Sequence, residues 1–97
     1  MLLQYLIENL TTNEVIGTTN VEIGKVEYDS KKIEKKDVFV AVKGYEKDGN
    51  DYIDEAIGNG AICVIVENNI DTSKYLDKGI TIIKVENSRI ALAVVAS

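Results

Sequence analysis

The 97-residue sequence contains no histidine and a single cysteine, Cys63. The lack of histidine excludes every catalytic triad and metal site that needs an imidazole. One cysteine cannot form an internal disulfide, which agrees with a reducing compartment such as the cytoplasm. Because Cys63 is flanked by Ile62 and Val64, we expect a buried apolar side chain rather than a nucleophile.

Long apolar runs and an excess of positive charge are also missing. No apolar segment approaches the roughly 20 residues that a membrane-spanning helix needs. The start, Met1 to Leu10, carries Glu8 and has no cationic region, so it is unlike a signal peptide. The net charge is -5, whereas general nucleic-acid binding needs a basic surface. We therefore expect a cytoplasmic protein that binds neither membranes nor nucleic acid.

The length predicts a single domain, because 97 residues suffice for one modest core and are too few for two. The charge is unevenly spread along this domain. Seven lysines and five acidic residues lie between Lys25 and Lys47, a local net charge of +2. A small anionic ligand would meet the least repulsion in this central segment, although solvated lysine-rich loops explain the same pattern.

The hydrophobic pattern predicts a mixed α/β domain. Residues 38–42 and 62–66 are apolar throughout, as in strands covered on both faces, and a helix at 51–59 between them makes a parallel β-α-β unit. We expect a mixed sheet of about four to five strands with three helices packed on it. The other expected elements are a short helix within 2–10, strands at 15–16, 21–28 and 80–85, and a helix from Arg89.

Several local signals refine this prediction. Gly24 interrupts the alternation of strand 21–28, so we expect a bulge there. Asn50 or Asp51 is expected to cap the second helix, and Ser88 the third. The third helix reaches the last residue without a stop signal, which predicts that the chain is part of a longer protein.

Two polar loops flank strand 38–42 and form the candidate site. The first covers residues 28–37 and the second covers residues 43–49, and scaffolds commonly display binding groups on such loops. Ser30 lies beside Lys31 and Lys32, where its hydroxyl could donate to an anionic or carbonyl group. The competing explanation is a turn serine that bonds its own backbone, and chemistry alone favours it.

Gly44 and Gly49 have the spacing of the phosphate-binding loop GxxxxGK[ST]. However, Asn50 and Asp51 stand where that loop needs its lysine and its hydroxyl. We therefore reject an ATP site here, and no other segment offers one. The sixteen carboxylates show no pairing for acid–base work, so we assign no catalytic residue and no metal ligand.

A set of short motifs in this chain is specific when taken together. The motifs are Asp29-Ser30-Lys31, Asp37-Val38-Phe39-Val40-Ala41, Gly44, Asp48-Gly49-Asn50, Tyr52-Ile53, Ala56-Ile57 and Gly60-Ala61. With them the chain resembles, over nearly its whole length, the amino-terminal domain of the Mur ligases, most closely the MurE type. That domain carries the pattern D-S-R-x-x-x-x-G-x-[LV]-F-V-A, then a glycine, then D-G-H, then an amphipathic helix that ends in G-A.

Three positions depart from this pattern. Lys31 replaces the usual arginine, which removes bidentate anion contacts. Asn50 replaces the usual histidine. Lys36 stands where glycine is common, so we expect the special backbone conformation of that position to be lost.

The resemblance implies a function. MurE-type ligases are cytoplasmic enzymes of peptidoglycan synthesis that add L-lysine or meso-diaminopimelate to UDP-N-acetylmuramoyl-L-alanyl-D-glutamate. ATP converts the substrate carboxylate to an acyl phosphate, which the amino group attacks. Residues 1–97 would then be the non-catalytic first domain of a three-domain ligase, and a central ATPase domain of the same chain would hold ATP and Mg²⁺.

The resemblance also assigns roles to residues of the two loops. It places Tyr28 beside the uracil and Lys31 near the diphosphate, and it reverses the preference on Ser30 in favour of substrate contact. Tyr45, Glu46 and Lys47 would form the second segment that contacts the uridine.

Two alternatives stay open. A MurF-type ligase, which adds a dipeptide, shares much of the pattern, although the loop Gly-Tyr-x-x-Asp-Gly favours the MurE type. A non-catalytic module that binds a nucleotide or a protein would suit the departures at Lys31, Lys36 and Asn50.

Overall fold

The computed structural model describes residues 1–44 and 48–96, and it confirms a mixed α/β sheet with helices packed on it. The sheet contains five strands in the order β1-β5-β4-β3-β2. The strands are β1 (Glu14–Ile16), β2 (Val26–Glu27), β3 (Val38–Val40), β4 (Cys63–Glu67) and β5 (Thr81–Val85). The helices are α1 (Leu3–Leu6), α2 (Ile53–Gly58) and α3 (Ser88–Val95), and short 3₁₀ helices cover Ser30–Lys32, Gly49–Tyr52 and Ser73–Tyr75.

Four of the strands are parallel. Val26 of β2 pairs with Val38 of β3, and Val38 pairs in turn with Cys63 of β4. Strand β4 continues in parallel to β5, whereas β1 runs antiparallel to β5. The predicted parallel pairing of segments 38–42 and 62–66 is therefore confirmed.

The sheet is covered on both faces, which explains why its central strands are apolar at every position. Side chains alternate along β3, so Val38 points to one apolar cluster and Phe39 to the other. The first cluster also contains Leu3, Ala91 and Val95 from α1 and α3. The second contains Ile33, Ile53, Ala56 and Tyr75, contributed by α2 and the connecting segments.

The predicted strand at 21–28 is wrong in length, because only Val26–Glu27 pairs as a strand. The chain before it bonds elsewhere. The Ile23 amide donates to the Met1 carbonyl oxygen at 2.9 Å, and the Gly24 amide donates to the Lys36 carbonyl oxygen at 2.8 Å. Gly24 is therefore bonded to the turn before β3. Its neighbour Ile23 is bonded to the first residue of the chain and not to a strand of the sheet.

The predicted helix caps are also wrong. Helix α3 is capped by Asn87, whose side chain accepts from the Arg89 and Ile90 amides, while Ser88 is the first helical residue. The 3₁₀ helix Gly49–Tyr52 precedes α2, and its cap is Asp48 rather than Asn50 or Asp51. Neighbouring polar residues can all cap a helix, so the sequence alone did not select between them.

The backbone at Lys36 contradicts the prediction made from its side chain. Its φ is +72°, in the left-handed region that glycine normally occupies. The Lys36 amide donates to the Gly60 carbonyl oxygen at 2.8 Å, and its own carbonyl oxygen accepts from Gly24. The special conformation of this position is therefore kept despite the lysine.

Cys63 is fully buried within β4, as predicted. Burial raises the pKa of its thiol, so the thiolate form that reacts as a nucleophile is suppressed. In the two described ranges, no helix is long and apolar enough to cross a membrane.

Candidate functional site

The described parts of the two candidate loops meet at one end of the sheet. Residues 28–31 follow β2, and residues 42–44, with 48 and 49, follow the adjacent strand β3. Because β2 and β3 are parallel neighbours, their carboxyl ends lie side by side, where open α/β sheets commonly bind ligands. The sequence analysis expected the two loops at opposite ends of strand 38–42. In the structure, only residues 32–37 of the first loop lie at the opposite end, because they lead back to the start of β3.

A cleft of about 390 Å³ lies between these loops. Its volume is near the lower end of the range of about 300–1,000 Å³ that is typical of small-molecule sites, so it suits one part of a large ligand. The cleft is lined by Tyr28, Asp29, Ser30, Lys31, Val42, Gly44, Gly49 and Tyr52.

The first wall of the cleft is a fixed turn. Glu27 Oε1 accepts from the amides of Tyr28 at 3.1 Å and Asp29 at 3.2 Å. The carboxylate of Asp29 then accepts from the Lys31 amide at 3.0 Å and caps the 3₁₀ helix Ser30–Lys32. The Tyr28 side chain is 63% exposed, so its ring is available to a ligand at the mouth of the cleft.

Ser30 is held from two directions by α2 and the residue after it. Its hydroxyl donates to the carboxylate of Glu55, and its carbonyl oxygen accepts from Asn59 Nδ2 at 2.9 Å. Only 4% of Ser30 is exposed, so the residue has little freedom to move. Neither predicted role, donor to a ligand or turn serine bonded to its own backbone, describes this hydroxyl bond.

The second wall depends on close backbone packing. The Gly49 amide donates to the Val42 carbonyl oxygen at 2.8 Å. A Cβ atom at Gly49 would lie only 2.6 Å from the Val42 amide nitrogen, so no larger residue fits. Packing against Val42 therefore explains this glycine without a bound phosphate. Asn50 Nδ2 donates to Asp48 Oδ1 at 2.6 Å, and Asn50 thereby supports the loop.

A buried serine ties this wall to α3. The Lys43 amide donates to Ser88 Oγ at 3.0 Å, and that hydroxyl donates to Glu67 at 2.9 Å. A second cavity of about 280 Å³ lies beside this connection. It shares Gly44 with the first cleft, and its other lining residues are Lys43, Glu67, Asn87 and Arg89.

Of the predicted site residues, Tyr28, Ser30 and Lys31 line one cleft, while Tyr45, Glu46 and Lys47 lie outside the described residues. The sequence analysis missed Tyr52, which it assigned only to the apolar face of α2. It also missed Glu55 and Asn59, which are spaced i, i+4 and therefore share one helix face. That polar pair on the helix after the second loop was an available signal.

Comparison with known protein families identifies the family of this chain. The model of the "Mur ligase family, catalytic domain" matches residues 22–97. The chain belongs to the Mur ligase family.

Curated Mur ligases match most or all of this chain in sequence. The UDP-N-acetylmuramoyl-L-alanyl-D-glutamate–2,6-diaminopimelate ligase of Clostridium tetani is 39% identical over 97 residues, which is 100% of this chain and 20% of the relative. The ligase of the same name from Caldanaerobacter subterraneus is 44% identical over 85 residues, covering 88% of this chain and 17% of that protein. The chain thus spans about a fifth of the length of the curated relatives that it matches.

Solved Mur ligases share the fold. MurF from Acinetobacter baumannii matches with a TM-score of 0.77 and 26% identity, over 97% of this chain and 20% of that structure. MurF from Thermotoga maritima in complex with ADP matches with a TM-score of 0.58 and 42% identity, over 73% of this chain and 15% of that structure.

In the part of the chain that the structure describes, no residues are arranged to hold ATP and Mg²⁺. The sequence has no GxxxxGK[ST] segment. Within the described residues, no group of three or more histidine, cysteine or acidic side chains is placed to hold a metal.

Proposed function

We propose that this chain is the substrate-binding domain of a MurE-type Mur ligase and holds the UDP end of UDP-N-acetylmuramoyl-L-alanyl-D-glutamate. The observation that carries this proposal is the cleft where the loops after β2 and β3 meet. The complete enzyme would add the third amino acid of the peptide in peptidoglycan synthesis. The names of the sequence relatives favour 2,6-diaminopimelate over L-lysine.

The lining of the cleft supports a uridine ligand. Tyr28 and Tyr52 supply flat apolar surface for the uracil ring, and Ser30 and the loop backbone supply hydrogen-bonding groups. Lys31 lies on the same wall and would meet the negative charge of the diphosphate. Tyr45, Glu46 and Lys47 follow Gly44 in sequence, and the resemblance assigns uridine contact to them, so we propose that role for them as well.

The remaining chemistry is assigned to other parts of a longer protein. We propose that ATP and Mg²⁺ bind to a central ATPase domain, because this sequence offers no phosphate-binding loop. In that arrangement residues 1–97 form a single domain in the cytoplasm that binds and orients the substrate and contributes no catalytic residue.

A MurF-type ligase is a second candidate. The MurF of Thermotoga maritima, at 42% identity over 73% of this chain, favours it. The Clostridium tetani relative favours the MurE type, because it is 39% identical over the whole chain, whereas the MurF of Acinetobacter baumannii covers 97% of the chain at only 26% identity. An assay of the longer protein would decide between the two: ligation of a single amino acid to the UDP-linked dipeptide supports MurE, and ligation of a dipeptide to the UDP-linked tripeptide supports MurF.

Titration of the ¹⁵N-labelled chain with UDP-N-acetylmuramoyl-L-alanyl-D-glutamate tests the site. We expect amide shifts concentrated at Tyr28–Lys31, Gly44 and Gly49. Ser30→Ala should weaken binding roughly threefold to tenfold, since one net hydrogen bond contributes about 0.5–1.5 kcal/mol. Ser73→Ala removes a serine hydroxyl from another 3₁₀ helix and should leave the affinity unchanged.

The same titration on the longer protein serves as a control. It distinguishes weak binding by the isolated chain from a wrong assignment of the site. Shifts confined to a different surface, or equal effects of the two serine substitutions, would contradict the proposal. Absence of binding in both proteins at millimolar ligand would also contradict it.

A further inference from the structure

Ser30 Oγ has one proton and two lone pairs, and the proton is used in a bond to Glu55, which is not among the residues that line the cleft. The hydroxyl donates to Glu55 Oε1. A carboxylate can only accept hydrogen bonds, so this bond fixes the direction of the hydroxyl. What Ser30 offers to the cleft is a lone pair.

The surrounding contacts hold Ser30 in place, so its hydroxyl cannot easily turn from Glu55 to another acceptor. The Ser30 carbonyl oxygen is bound by Asn59, and Asp29 caps the turn in which Ser30 lies. With 4% of the residue exposed, the side chain is packed in place. Turning its proton toward a ligand would leave the Glu55 carboxylate without this donor, which has a cost in free energy.

We propose that Glu55 is a positioning residue that sets Ser30 as a hydrogen-bond acceptor, so that the ligand meets Ser30 with an N–H or O–H of its nucleoside part and not with a phosphate oxygen. This inference rests on the proposed function and specifies which part of the substrate occupies the Ser30 side of the cleft.

The charges in the cleft agree with this assignment. Phosphate oxygens accept hydrogen bonds and carry negative charge, and at Ser30 they would lie two hydrogen-bond lengths from the Glu55 carboxylate. Like charges that close repel. The uracil ring and the ribose both carry donors. The cation of Lys31, on the same wall, is the better partner for the phosphates.

Binding of uridine, UMP and UDP to the wild-type chain and to Ser30→Ala tests the assignment. We expect Ser30→Ala to weaken all three ligands by a similar factor, roughly threefold to tenfold, because the lost contact belongs to the nucleoside. A loss that is absent for uridine and grows with each added phosphate would overturn the inference while leaving the proposed function intact. Failure of the wild-type chain and of the longer protein to bind any of the three would overturn both.

A second set of variants tests whether Glu55 acts through Ser30. Glu55→Ala removes the acceptor and leaves the Ser30 proton free to turn toward the ligand, so it should weaken the three ligands to a similar degree. The double variant Ser30→Ala with Glu55→Ala should bind no more weakly than Ser30→Ala alone. Additive losses would show that Glu55 acts independently of Ser30.

Asp54→Asn provides the matched control. It removes the same charge from the same helix, and Asp54 pairs with Lys74 on the surface at 3.2 Å. We expect no change in affinity for any of the three ligands. A loss equal to that of Glu55→Ala would mean that the charge of the helix, and not the bond to Ser30, affects binding.

Discussion

At the scale of single residues, Lys36 illustrates a conformation that its neighbours impose. Its φ of +72° is unfavourable for a residue with a Cβ atom. Hydrogen bonds to Gly60 and from Gly24 hold it there. The turn brings β2, β3 and the end of α2 together, so the strain is offset by contacts made elsewhere.

Lys36→Gly should therefore stabilise the protein. Relief of the left-handed strain gains about 1–2 kcal/mol, and the greater freedom of glycine in the unfolded chain removes part of that gain. We expect a net increase of about 0.5–1 kcal/mol in the free energy of unfolding, measured with urea. Lys35→Gly, at a neighbour without positive φ, should destabilise instead. Equal effects of the two substitutions would contradict this explanation.

The sequence could predict three of the residues that line the cleft, but not the bonds that they make. Ser30 was singled out from its place in a turn, and the resemblance to the Mur ligase motif added Tyr28 and Lys31. The partner of Ser30 is Glu55, twenty-five positions away. Contacts over such distances depend on how α2 packs on the sheet, and no local pattern encodes that packing.

At the scale of helices and strands, the long apolar runs were predicted well. Strands β3 and β4 were evident because burial on both faces leaves no polar position. The length of strand β2 was overestimated because Val21 and Ile23 are apolar for a reason other than strand pairing. Both pack against the first apolar cluster outside any strand ladder.

The cap of α3 gives a direct test at this scale. Asn87 accepts from two amides, Arg89 at 2.9 Å and Ile90 at 3.1 Å. Asn87→Ala should lower the free energy of unfolding by about 1 kcal/mol, since those amides lose their partner. Asn87→Asp keeps an acceptor and should retain most of the stability. Urea unfolding followed by circular dichroism measures both, and an equal loss in the two variants would rule out a capping role.

At the scale of the whole molecule, a buried acid joins the segment before β2 to the turn before β3. Asp37 is 3% exposed. Its carboxylate accepts from Lys25 Nζ at 2.5 Å, from the Lys25 amide at 2.9 Å and from the Glu34 amide at 2.7 Å. Burial alone would raise the pKa of Asp37, but the bonds from Lys25 and Glu34 outweigh it and hold the pKa below its ordinary value.

This arrangement predicts an acid-sensitive fold. A carboxyl whose pKa is lowered by folding contributes its stabilisation above its unfolded value of 3.8, and the contribution is lost as the pH falls through the folded value. Asp37→Asn should cost about 2 kcal/mol at neutral pH and should flatten the decline in stability below about pH 4. Urea unfolding between pH 7 and pH 2.5 measures both effects.

Asp71→Asn is the control for that profile. The backbone amide of Ser73 is the main cause that lowers the pKa of Asp71, and Asp71 is exposed. Asp71→Asn should change the loss of stability at acid pH less than Asp37→Asn does. Parallel pH profiles for the wild type and Asp37→Asn would mean that other carboxyl groups govern acid unfolding.

The position of β1 has a consequence for folding during synthesis. Glu14 pairs with Lys84, so an edge strand docks against β5, the last of the five strands in sequence order. Pairings between such distant segments slow folding, because a long loop must close before the contact is gained. On the ribosome, β1 stays without this partner until β5 has also emerged.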